Sequence, residues 1–166
     1  MNLGLHLFLH FSFSVLAGFF VWRLWRKPMP AFFGGLLGGV LIDFDHFIDY
    51  AIAFGLNFKL AYFTNSYYSL KDGKFFYLLH GWEYVAIFLL VAFLVKKKLA
   101  AKSFFLAVAL GMGFHLMVDT LINEGMRPEG YLITYRIVNR FNLEKIVTPQ
   151  DYQRYLLKKR EVNFSK

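Results

Sequence analysis

Four stretches of this chain run for about twenty residues with little or no charge, at residues 3–22, 31–52, 75–95 and 103–122. A bilayer core of roughly 30 Å takes about 20 apolar residues to cross as a helix. In lipid only helices and closed barrels satisfy their own backbone groups. The runs therefore predict an all-α polytopic membrane protein, an antiparallel bundle of four transmembrane helices. Composition agrees, since 57% hydrophobic and 20% aromatic residues with a mean hydropathy of +0.42 exclude an ordinary soluble domain. The first run is read as a retained span and not a signal peptide. No Lys or Arg precedes it, no small-residue cleavage site follows, and Arg23, Arg26 and Lys27 come after it.

The segments between the runs predict the hairpins. Residues 23–30 and 96–102 are short and basic, as expected of tight connections between antiparallel helices. The longer loop at 55–74 carries "FKLAYFTNSYYSL", an aromatic stretch suited to headgroup depth. From residue 123 the character changes. "YLITYRIVNRF" alternates apolar and basic residues like an interfacial amphipathic helix. "TPQDYQRYLLKKR" opens like a helix, with Thr148 as N-cap, Pro149 at the first position and Asp151 near the dipole. The expected organisation is a transmembrane domain over 1–122 and a basic amphipathic helical tail over 123–166.

Within the runs sit residues that lipid disfavours. His6 and His10 are four apart on the first; Asp43, Asp45, His46 and Asp49 end the second; His80 and Glu83 begin the third; His115 and Asp119 are four apart near the end of the fourth. Spacings of three and four share a helical face. In an up-down-up-down bundle the starts of runs one and three and the ends of runs two and four meet on one side of the membrane. All five histidines of the chain thus fall in one layer. Each intramembrane ionisable group costs roughly 2.5–3.5 kcal/mol on insertion scales, so such groups mark function by default.

Histidines and carboxylates gathered in one layer point to a divalent cation. Imidazole with carboxylate suits zinc, manganese or iron better than calcium or magnesium, which take all-oxygen shells. The absence of cysteine removes thiolate ligands. There are ligands for two ions, zinc foremost. His10, Asp45, His46, His115 and Asp119 are the leading ligands, with His6, Asp49 and His80 as further ones. Asp43 is assigned as bridging ligand or general base; His80 and Glu83 complete the shell or protonate a leaving group. Plain structural readings stand beside these. His6 can cap a helix end, Asp49 can sit just beyond the hydrocarbon, and His115 with Asp119 can form a register-fixing pair. Gly34, Gly35, Gly38 and Gly39 are read as close-packing positions.

At these residues the chain resembles a known family. "IDFDH" at 42–46 and "FHLMVDTLINEGMRP" at 114–128 are similar to the signature segments of YdjM-like membrane-bound metal-dependent hydrolases, themselves distantly similar to zinc-dependent phospholipases C. "HFSFSVLAGFF" from His10 fits the family's first span. Two departures stand out: Ile42 where the family has proline, and His80-Gly81-Trp82-Glu83 where it has an HR-x-x-THS-like segment. The resemblance implies metal-dependent hydrolysis, and the depth of the site suggests a phosphoester of a lipid or other amphiphile. Two other classes remain: a scaffold that uses metal to fold, and an ion or proton transporter. "SVLAGFFVW" and "VAIFLLVAFLV" offer no polar path, which weighs against transport.

The net charge of +8 suits contact with anionic lipid, and the basic residues form no basic-aromatic groove of the kind that binds nucleic acid. Seven basic residues concentrate in the two short loops, Arg23, Arg26, Lys27, Lys96, Lys97, Lys98 and Lys102. The positive-inside tendency makes those loops cytoplasmic and places the metal layer outside an inner (plasma) membrane. Lys59, Lys71, Lys74, Arg127, Arg136 and Arg140 on the other side oppose that bias.

Overall fold

The computed structural model describes residues 3–122 and 125–162; Asn123 and Glu124, inside the segment 114–128, lie outside them. In chain order the helices are α1 (Leu3–Trp25), α2 (Pro28–Gly39), a 3-10 turn (Leu41–Phe44), α3 (Asp45–Phe54), α4 (Leu60–Thr64), α5 (Tyr67–Asp72), α6 (Trp82–Leu94), α7 (Leu99–Ile122), a second 3-10 turn (Pro128–Tyr131), α8 (Ile133–Val138), α9 (Leu143–Ile146) and α10 (Pro149–Glu161). Among the described residues no strand forms, so the fold is all-helical as expected.

Two helices are long and apolar enough to cross a bilayer, Gly4–Trp25 and Leu99–Ile122, consistent with an integral membrane protein. The run expected at 31–52 is broken. α2 stops at Gly39, Val40 leaves helical geometry at φ −122° and ψ −48°, and the chain enters a 3-10 turn. Glycine gives a helix little backbone preference, so Gly38 and Gly39 make this the weak point of the run. Pro28–Gly39 and Leu41–Phe54 make a third candidate only if the broken pair counts as one span. The run expected at 75–95 is helical over Trp82–Leu94 alone, 13 residues. At 1.5 Å per residue that is about 20 Å, short of a bilayer core. Gly81, extended at φ −129° and ψ 128°, starts the helix late.

The chain divides into two compact units, one from Met1–Asp43 with Leu79–Glu124, the other from Phe44–Leu78 with Gly125–Lys166. In the first, α7 packs against α1, α2 and α6, and α2 packs against α1. The glycines of α2 permit this. A methyl group built on Gly34 would meet the Phe104 carbonyl at 2.5 Å, and one on Gly111 the Gly35 carbonyl at 2.6 Å. Gly38 faces the Val108 carbonyl and Gly35 the Ser14 carbonyl, each too closely for any side chain. Two interleaved small-xxx-small repeats thus let one helix touch two neighbours backbone to backbone. His10, Ser14, Ser103, His115 and Asp119 are buried together with Val21, Ala31, Ala107, Val108 and Met112, whereas Phe8, Phe11, Phe20 and Leu24 of α1 and Leu90 and Phe93 of α6 are exposed. Large apolar side chains on the outside suit a helix bundle in lipid.

The second unit has its own core of Tyr50, Ala53, Tyr68, Phe75, Tyr77, Leu143, Ile146 and Val147. The segment after residue 125 therefore packs with 44–78. The expected helix at 148–160 forms as α10, with Thr148 Oγ1 accepting from the Asp151 amide at 3.3 Å and Pro149 opening the helix. The expected amphipathic helix at 131–141 is cut down to α8. Arg140 and Phe141 both take positive φ, 54° and 57°, and end it. Arg136, expected on a polar face, is fully buried, with Nη1 donating to the Phe76 carbonyl at 2.7 Å and to that of Tyr77.

Candidate metal centre

Each group of polar residues in the first unit is placed by a local rule. α1 sets His6 and His10 one turn apart, and α7 does the same for His115 and Asp119. The 3-10 turn after Val40 carries Asp43, and the irregular segment before α6 carries His80. These six side chains converge. His10, His80, His115 and Asp119 are buried, while the Asp43 and His6 side chains keep 25% and 21% exposure.

The distances define two neighbouring sets. In one, His6 Nε2 and His10 Nε2 lie 2.8 Å apart, and they approach Asp119 Oδ1 at 3.5 and 3.3 Å. In the other, His80 Nε2 and His115 Nε2 lie 3.0 Å apart. Asp43 Oδ1 sits 3.2 and 3.4 Å from them, and Asp119 Oδ2 sits 3.7 and 3.3 Å from them. Asp119 therefore serves both sets, one oxygen each. Asp43, expected as bridging ligand or general base, lies beside His80 and His115. His10 also lies within ligand reach of Asp43 and His115, and its ring stacks on that of His115 with centroids 3.8 Å apart.

The tautomer of His115 follows from the helix break. Because α2 ends at Gly39, that carbonyl is left for an outside donor. His115 Nδ1 lies 3.0 Å from it. A carbonyl only accepts, so Nδ1 carries the proton and Nε2 turns its lone pair toward Asp43, His80 and Asp119. A histidine oriented by a carbonyl in this way is the usual arrangement of a metal ligand. Two buried atoms, Asp119 Oδ1 and His10 Nδ1, have no aligned hydrogen bond. An acceptor oxygen left thus among imidazoles fits a site built for a cation. These buried histidine and aspartate groups can hold a metal ion.

Asp45, His46 and Asp49 belong to the second unit. There Asp49 Oδ2 accepts from the amides of Phe76 and Tyr77 at 3.2 and 3.1 Å, and His46 Nδ1 pairs with the Tyr68 hydroxyl at 3.1 Å. Asp45 is fully buried. Glu83, half-buried in the first turn of α6, joins none of the ligand groups found among the described residues. Comparison with family models, with characterised proteins and with solved structures returns no match. The reading of the site accordingly rests on its atoms. Sequence reasoning missed the Gly39 carbonyl as the group that orients His115. Its one visible trace was the double glycine before Val40, which reads equally as a packing feature.

Proposed function

We propose that the chain is a membrane-embedded metal-dependent hydrolase acting on a phosphoester of a lipid or other amphiphilic substrate. The observation that carries this reading is the layer of four imidazole Nε2 atoms around the carboxylates of Asp43 and Asp119, at separations of 2.8 to 3.7 Å. Tetrahedral bonds of about 2.0–2.1 Å place ligand atoms about 3.3 Å apart, so the donor set fits zinc. When bound, such an ion supplies a Lewis acid and a water acidified to a pKa of about 7. Two ions suit the two sets. His6, His10, His80, His115, Asp43 and Asp119 would hold them, and the Gly39 carbonyl orients the His115 ring with Nε2 toward the ion. Glu83, outside the ligand groups, is assigned to protonate the leaving oxygen.

Four crossings require α6 to be extended by the irregular residues before it, or the bilayer to thin around its apolar length. The basic loops at 23–30 and 96–102 support an extracytoplasmic site in an inner membrane. The resemblance to YdjM-like hydrolases through "IDFDH" and the His115–Asp119 segment supports the reaction class. Metal analysis of the purified protein, joined to a phosphoester hydrolysis screen in mixed micelles, tests the proposal. Bound zinc with turnover that vanishes in His115→Ala supports it. Bound zinc without turnover on any phosphoester would make the chain a metal-held scaffold instead.

A further inference from the structure

The second unit holds a cavity of about 340 Å³ lined by Asp72, Gly73, Lys74, Asn139, Arg140 and Asn142. That size falls within the roughly 300–1,000 Å³ of ligand pockets. Two backbone segments build its walls and lock together. Lys74 pairs with Asn142 in an antiparallel bridge, the Leu143 amide donates to the Gly73 carbonyl at 3.0 Å, and the Phe75 amide donates to the Phe141 carbonyl at 2.9 Å. Arg140 and Phe141 hold the left-handed region in succession, with φ 54° and 57°. Bulky residues enter that region at a cost, and such strain collects at binding and active sites. The Phe141 amide, donating to the Arg136 carbonyl at 2.8 Å, and the Arg140 amide, donating to that of Ile137 at 2.9 Å, keep the turn closed.

Lys74 and Arg140 bring two positive charges to this lining against the one negative charge of Asp72. Among the described residues of the unit Arg154 pairs with Asp151 at 2.9 Å, while Lys74, Arg140 and Asp72 join no ion pair. Lys74 Nζ stands 6.0 Å from the centroid of the Phe76 ring. Asn142 Oδ1 accepts from the Glu144 amide at 3.0 Å, which leaves the NH2 of Asn142 to a ligand. Asn139 Nδ2 donates to the Tyr135 carbonyl at 2.9 Å, which leaves the oxygen of Asn139. A surplus of one positive charge matches a phosphodiester, which carries one negative charge, and the acceptors of Asp72 and Asn139 suit hydroxyl groups. Ile137 and Val138, directly before Asn139, are 57% and 80% exposed. Apolar side chains beside a cationic pocket fit an amphiphile. We infer that this cavity binds the headgroup of an anionic phospholipid, with its phosphodiester on Lys74, Arg140 and Asn142, its headgroup hydroxyls on Asp72 and Asn139, and its acyl chains against Ile137 and Val138. The site uses none of the metal-centre residues, so it stands whether or not the chain hydrolyses a phosphoester.

Native mass spectrometry of the full-length protein in a non-ionic detergent, supplied with short-chain phosphatidylglycerol or phosphatidylcholine, counts the lipid that stays bound. Expected is one phosphatidylglycerol held at least about tenfold more tightly than phosphatidylcholine, the factor that one charge-assisted hydrogen bond supplies. Arg140→Gly should lose that preference and fold as well as the parent, because glycine accepts a φ of 54° without strain. A thermal melt checks the fold of this variant. Lys74→Gln should weaken retention by a similar factor. His115→Ala should keep the lipid, which separates this cavity from the metal centre. Equal retention of the two lipids, unchanged retention of phosphatidylglycerol in Arg140→Gly, or its loss in His115→Ala each overturns the inference. Displacement by inorganic phosphate at the lipid's own concentration would make the ligand a free anion and overturn the lipid as its source. A chain that holds phosphatidylglycerol here but turns over no phosphoester would overturn the hydrolase proposal and leave this site standing.

Discussion

Asp119 carries more of the centre than any other side chain. Its two oxygens address His6 and His10 on one side and His80 and His115 on the other. Replacing it by Asn keeps the shape, removes the charge and leaves one oxygen in place of two. Asp119→Asn is therefore expected to lower bound metal at both sets, whereas Asp43→Asn should lower it less, acting through His80 and His115, the side chains its Oδ1 approaches. Elemental analysis after gel filtration reads the difference, and equal metal loss in the two variants would refute the bridging role. Arg136 is the counterpart in the second unit, a buried cation whose Nη1 serves the carbonyls of Phe76 and Tyr77. The amides of those same two residues donate to Asp49. The Phe76–Tyr77 segment is thus fixed by a carboxylate through its amides and by a guanidinium through its carbonyls.

Among the elements, α2 shows how a helix can be held by what it lacks. Gly38 lies against the Val108 carbonyl, whereas a methyl group on Gly113 of α7 would find Val85 at an ordinary 3.8 Å. Gly38→Leu should cost at least about 1–3 kcal/mol through overpacking. Gly113→Ala should be neutral or stabilise by up to about 1 kcal/mol through reduced freedom of the unfolded chain. Thermal melts in one detergent compare them, and similar melting of both variants would contradict the seam. The second unit responds to alkali. Burial pushes the Tyr68 hydroxyl up to about 12, and burial followed by the Asp151 charge raises that of Tyr155. A folded-state value above the unfolded one gives stability that is complete below pH about 10 and is lost as pH rises toward 12. The part of the tyrosinate absorbance that Tyr68→Phe and Tyr155→Phe remove should therefore appear late and together with unfolding. Loss of absorbance near pH 10 in those variants, with the protein still folded, would refute this.

For the whole molecule, orientation is the property that the charges predict and a reporter can read. A fusion after Lys166 should show alkaline phosphatase activity if the metal layer faces outward, and cytoplasmic fluorescence if it faces inward. Much of the arrangement was legible beforehand. The pairs His6–His10 and His115–Asp119 follow from helical periodicity, which is local, and His80 was expected beside them at the start of the third run. Other features depend on distant partners. The break at Val40 arises where glycines press α2 onto two other helices, and it divides a stretch that reads as one span between two units. The burial of Arg136 depends on carbonyls about sixty positions earlier, which no pattern around "TYRIV" announces. The late start of α6 follows an irregular stretch in which Tyr77 takes positive φ, 38°, before the extended Gly81.

The centre draws its first ligands from the first helix of the chain and its shared carboxylate from α7, with Asp43 and His80 between them. This spacing sets a clock for biosynthesis. As the chain leaves the ribosome, His6 and His10 enter the membrane long before Asp119 has been made, and neither ligand set can close until α7 arrives. A nascent chain or a fragment ending before residue 115 lacks the oxygen that both sets share. On the two-ion reading proposed above, metal capture follows the arrival of α7, and bound ions would mark a chain made at least that far.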